Sequence, residues 1–134
     1  MNQFTLTSIL AIGFGVLLLA FIPPKNESFV SKADIPELGF PGEVQEILKT
    51  SCFDCHIADA KSSKAKMKLN FSKWENLSNS KKINKLDKIS KDVTEGKMPT
   101  KKYLKKYPDR KLSKEEIDII KKWVQAETSK LMGE

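Results

Sequence analysis

Cysteine and histidine are nearly missing from this chain, with two Cys and one His in 134 residues. The two cysteines stand three positions apart, so a disulfide between them would close a tiny loop and restrain little of the unfolded chain. A structural zinc site wants about four protein ligands, and two Cys plus one His fall short. A thioredoxin-like redox pair needs a βαβ setting, and no succession of strand-like segments is present. Charged side chains are absent from residues 1–24. The whole formal net charge of +7 therefore lies beyond that point, although basicity alone is a poor argument for nucleic-acid binding.

What little cysteine and histidine there is falls in one pentapeptide, Cys52-Phe53-Asp54-Cys55-His56. C-x-x-C-H is the attachment signature of c-type haem. Two residues between the cysteines let one turn of backbone present both thiols to the two vinyl groups of a porphyrin. A histidine directly after the second thiol can point its imidazole at the iron. Iron held this way commonly takes histidine on one side and methionine on the other, a pairing that raises the reduction potential.

The uncharged N-terminus has a second consequence. Phe4 to Ile22 spans 19 residues, nearly the thickness of a bilayer core at about 1.5 Å per residue. The segment is a signal peptide or a retained anchor. No small-x-small cleavage pattern, lipobox cysteine or basic n-region accompanies it, which favours an anchor over residues 1–22. Lysines follow the span, and the positive-inside rule taken alone would leave them in the cytoplasm. Covalent haem attachment in bacteria takes place on the outer face of the inner membrane, so we expect the following domain in the periplasm. Residues 23–40 are proline-rich and polar and read as a semi-stiff tether, leaving residues 41–134 as the folded domain.

That domain reads as all-α. Pro41-Gly42-Glu43 opens a helix with Val44, Ile47, Leu48 and Ser51 on one face. Residues 59–68 are polar and lysine-rich, expected as a surface loop or frayed turn. In Leu69-Asn70-Phe71-Ser72-Lys73-Trp74, Ser72 is the expected cap of a short helix. Trp74 supplies core bulk there, with the alternative that its indole N–H, or Asn70, donates to a haem propionate. Ser80 to Thr94 carries Ile83, Leu86, Ile89 and Val93 at helical spacing and ends near Gly96. Ser113-Lys114-Glu115-Glu116 is a capping box opening a helix whose stripe of Ile117, Ile120 and Val124, widened by Ile119 and Trp123, should pack on the Val44/Ile47/Leu48 face.

A sixth iron ligand must come from Met, Lys, Asn, Tyr or water, or be absent, because the chain has no second histidine. Met67 lies among lysines and Met132 in a terminal tail. Met98 follows Gly96 and precedes Pro99, a loop able to hold a thioether against the iron opposite His56. Tyr103 and Arg110, in the connection 103–110, are further propionate partners in prospect, since a shielded carboxylate wants charge-assisted donors.

The segment Val44 to His56, Leu69-Asn70-Phe71-Ser72-Lys73-Trp74, Glu95-Gly96-Lys97-Met98-Pro99 and Leu112-Ser113-x-x-Glu116 together resemble the bacterial haem-binding domain family of small mono-haem c-type cytochromes. The resemblance covers about residues 41–127, and its specific part is Leu-Asn-Phe-Ser-x-Trp. It implies a small cytochrome c-like helical fold around one covalent haem c, carried by Cys52 and Cys55. It also implies iron held by His56 and, on the other face, Met98. Many members have an aromatic, proline-containing insert soon after C-x-x-C-H, whereas Ile57 to Lys68 is short and lysine-rich here.

The expected function is single-electron transfer by a membrane-tethered cytochrome, not enzymatic turnover. A peroxidase would want an open iron face and a distal acid–base residue, and no second histidine serves. A lysine-rich rim would steer the domain to acidic-surfaced redox proteins such as a membrane oxidase or an electron-donor complex. The alternative is a haem-based redox or small-ligand sensor, with the sixth ligand displaceable or absent.

Overall fold

The computed structural model describes residues 36–133. The expected membrane segment, 1–22, and most of the tether, 23–35, lie outside the described residues. Among the described residues there is no strand, and no helix is long and apolar enough to cross a membrane. Within the described residues six α-helices follow one another: α1 (Gly42–Ser51), α2 (Phe53–His56), α3 (Ser63–Lys68), α4 (Asn79–Thr94), α5 (Lys101–Lys106) and α6 (Lys114–Met132). Two 3₁₀ turns, Phe71–Asn76 and Pro108–Arg110, sit between them.

The α-helical pair α4 and α6 forms the frame. Asn79 at the start of α4 donates through Nδ2 to the Leu131 carbonyl near the end of α6, at 3.1 Å, so the two run antiparallel. Leu86, Ile89 and Val93 of α4 meet Ile120, Trp123 and Val124 of α6 in one core. The expected stripe on α6 is therefore real, but α4 is its principal partner and α1 the second. Ser113 caps α6 as a full capping box with Glu116, as the sequence pattern requires.

The core runs from this pair to α1 and α2 through Leu48, Phe53, Phe71 and Trp74, all almost wholly enclosed. The Phe53 and Phe71 rings lie 5.3 Å apart, tying α2 to the aromatic turn. Segment 36–40 joins the core too, instead of ending an extended tether. Leu38 is buried, Phe40 packs 4.8 Å from Trp123 and 5.6 Å from Trp74, and Gln45 Nε2 donates to the Pro36 carbonyl at 2.7 Å. Large apolar rings outweigh the extended bias of the flanking prolines, because burying each removes some 150–250 Å² from water.

Three local expectations change. Residues 63–68 are helical, because the Ser62 hydroxyl accepts from the Ala65 amide and caps a lysine- and alanine-rich turn of good helix formers. The aromatic turn is capped by Asn70, whose Oδ1 accepts from the Ser72 amide at 3.0 Å. Ser72 instead spends its hydroxyl on the Ala58 amide. The connection after Pro99 contains α5, capped by Thr100 through the Tyr103 amide.

Candidate functional site

Cys52 closes α1 and opens α2, its amide bonded to the Leu48 carbonyl at 2.9 Å. The amides of Cys55 and His56 both return to the Cys52 carbonyl at 3.1 Å. This one tight turn is what sets the two thiols and the imidazole side by side. The end of α1 is in turn stapled to the distant 3₁₀ turn at residues 108–110. Arg110 Nη1 donates to the Thr50 carbonyl at 2.7 Å, and Ser51 Oγ donates to the Arg110 carbonyl at 3.0 Å.

Cys52, Cys55 and His56 line a cavity of about 390 Å³, within the ~300–1,000 Å³ range of small-molecule and cofactor sites. Leu48, Leu69, Phe71, Ile89 and Val93 supply its apolar walls, and Met98, Pro99, Thr100 and Tyr103 close it from the chain after α4. His56 Nδ1 lies 3.0 Å from the Leu69 carbonyl. A carbonyl only accepts, so Nδ1 carries the proton and Nε2 is left with its lone pair for a metal. The first residue of Leu-Asn-Phe-Ser-x-Trp thus orients the histidine through its backbone.

Both thiols are free. Burial, with Cys55 adding to it, pushes the Cys52 thiol up to about 12, and burial followed by the Asp54 carboxylate raises Cys55. They are protonated thiols at neutral pH, the opposite of the depressed pair a disulfide oxidoreductase uses. Among the described residues no three His, Cys, Asp or Glu side chains converge on a metal-sized point. Two apolar-walled thiols beside a pre-oriented imidazole suit a large, flat, metal-bearing ligand.

Met98 reaches this cavity through its backbone. Gly96 has φ of +64°, which glycine adopts without penalty. The amides of Lys97 and Met98 then both turn back onto the Asp92 carbonyl, at 2.8 and 3.1 Å. Of the methionines among the described residues, Met98 lines the cavity and packs on the core, whereas Met67 is 79% exposed and Met132 55%.

Tyr103 also lines the cavity, and its hydroxyl donates to Asp54 Oδ2 at 2.7 Å. Burial, then that hydrogen bond, raises the phenol well above its ordinary value. The other three expected propionate partners are not brought to the cavity wall. Trp74 is packed in the core between Phe40 and Phe71, Asn70 caps its turn, and the Arg110 guanidinium serves the end of α1. The cavity residues that sequence reasoning missed are Lys64 and Lys68 of α3 and Lys85, Lys88 and Asp92 of α4. For Lys85 and Asp92 the signal available was their helical phase in α4, one turn from Ile89.

Fold and cavity together describe a small helical domain built to enclose an apolar, metal-bearing planar group, that is, a haem-binding protein. The family model described as "Haem-binding domain" matches residues 57–126, more than half of the chain, and the chain belongs to that family. The match starts directly after His56, so it takes in the aromatic turn, the Met98 loop and most of α6, while the C-x-x-C-H stands immediately before it. No curated protein and no solved structure matches the chain.

Proposed function

We propose that this domain is a mono-haem c-type cytochrome that passes single electrons between redox partners at the outer face of a bacterial inner membrane. The observation that carries this reading is the shared wall of Cys52, Cys55 and His56, with Nδ1 of the imidazole committed to the Leu69 carbonyl. Cys52 and Cys55 would hold haem c through thioethers, His56 Nε2 would bind the iron, and Met98 would bind from the loop after α4. Bound haem would supply a one-electron change at the iron, with a potential set by axial ligation and burial.

The chain's own part is to hold that site still. Leu69 keeps the histidine in one tautomer and orientation. Leu48, Phe71, Ile89 and Val93 exclude water from the porphyrin face. Gly96 and Asp92 lock the Met98 loop by two backbone bonds, so that ligation need not rearrange with redox state. The single histidine is committed on one side, which supports a carrier over an enzyme that needs a distal base. Residues 1–22 would tether the domain to the membrane. The net charge of +7 favours acidic-surfaced partners, such as a membrane oxidase or a donor complex, with association that weakens as salt rises.

The test is the absorption spectrum of protein matured in a host equipped for covalent haem attachment. A low-spin ferric form with a weak sulfur-to-iron band is expected, with haem retained through acid–organic extraction. A high-spin ferric form with retained haem would favour the sensor reading. A colourless, compactly folded protein would end both.

A further inference from the structure

Four cations line the cavity, Lys64 and Lys68 on α3 and Lys85 and Lys88 on α4, against the single carboxylate of Asp92. Other lysines of the domain, among them Lys49, Lys82, Lys97, Lys121 and Lys130, are paired with carboxylates. Among the described residues none of these four is. Lys85 Nζ donates to the Lys68 carbonyl at the end of α3. That bond holds an ammonium between the end of α3 and the cavity-facing side of α4. An apolar cavity edged by uncompensated ammonium groups has built-in affinity for a ligand that is apolar in its body and anionic at its margin.

We propose that the α3–α4 lysine seam, with Lys85 and Lys88 at its centre, is the subsite that receives the two propionate carboxylates of the porphyrin. The inference rests on the haem reading above and adds the orientation of the ring within the cavity. On a porphyrin the two vinyl groups and the two propionates occupy opposite margins. Once Cys52 and Cys55 take the vinyls at the α1–α2 wall, the carboxylates must emerge away from that wall. Arg110 does not line the cavity, and Tyr103 donates its one hydroxyl proton to Asp54 within the C-x-x-C-H turn. Lys85, by contrast, keeps two of its three N–H donors beyond the Lys68 carbonyl. The lysine seam is the cationic lining left to meet them. A further consequence concerns partners. Ammonium groups engaged by propionates are withdrawn from docking, which leaves acidic partners to the other exposed lysines, those of α5 (Lys101, Lys102, Lys105 and Lys106) among them.

The experiment compares matured holoprotein with Lys85→Gln/Lys88→Gln, the charge-preserving Lys85→Arg/Lys88→Arg, and Lys114→Gln/Lys121→Gln on the exposed side of α6. Resonance Raman propionate-bending frequencies and the midpoint potential are read on each. The Gln pair should move the propionate mode and lower the midpoint potential. Two lost cations favour the oxidised form by about threefold, ~30 mV at 59 mV per decade for one electron. The Arg pair should restore both readings, and the α6 pair should leave both unchanged. Propionate modes that are identical in wild type and the Gln pair, with haem still covalently attached, would overturn the subsite. Failure of every variant, wild type included, to acquire covalent haem would instead overturn the haem reading itself.

Discussion

The hydrogen bond from Tyr103 to Asp54 is the most informative single contact to break. It joins α5, three residues beyond Thr100 and the Met98 loop, to one of the two residues between the cysteines, 49 positions away in sequence. Tyr103→Phe removes the hydroxyl and keeps the ring that stacks 5.0 Å from Tyr107. Hydrogen bonds to charged acceptors contribute about 1.5–3 kcal/mol. Both partners are only half-buried, and water would replace part of the loss, so we expect a cost of ~1–1.5 kcal/mol. For a domain of this size that is roughly 4–8 °C in Tm per kcal/mol, read by circular dichroism on the holoprotein. The contact also has a pH signature. The folded phenol is raised above its ordinary value of 10.0, so this stabilisation is whole below pH 10 and is lost as pH climbs through the folded value. Wild type should therefore lose its advantage over Tyr103→Phe in alkali, with absorbance at the phenolate band showing Tyr103 titrating late. Equal melting temperatures at pH 7, or a difference that grows above pH 10, would refute the reasoning.

The remaining expectations follow the same chemistry. Cys52→Ala combined with Cys55→Ala should abolish retention of haem through denaturation and acid–organic extraction, measured by haem stain after denaturing electrophoresis; persistence would exclude thioether attachment. Met98→Ala should turn the iron high-spin and lower its potential, while Met67→Ala, at a side chain 79% exposed, should change neither. A larger effect from Met67 would move the axial ligand elsewhere. Gly96→Ala meets no neighbouring atom but imposes φ of +64° on an L side chain. It should cost about 1–2 kcal/mol by denaturant titration and weaken the sulfur-to-iron band, and an unchanged band would show that the loop does not depend on that turn.

The features legible along the chain are local. C-x-x-C-H gathers its three chemical groups within one turn of chain, so their proximity needs no tertiary information. The Ser113–Glu116 box and the spacing of Leu86, Ile89 and Val93 are read from neighbours along the helix, because backbone periodicity alone places those side chains on one face. Met98 was legible for a related reason, since glycine before it and proline after it mark a loop.

The features that needed the folded chain involve partners far apart in sequence. The Leu69 carbonyl that orients His56 is an ordinary backbone atom, indistinguishable in sequence from any other. Arg110 and Tyr103 look equally suited to a carboxylate ligand, yet one is consumed at Thr50, 60 positions away, and the other at Asp54. Trp74 and Asn70 sit in the most family-specific stretch and turn inward or cap a turn, while four lysines that read as plain solvated surface line the cavity. A side chain's composition fixes which bonds it can make, but the fold sets which partner lies within about 3 Å, and at that range the competition between equally eligible partners is settled.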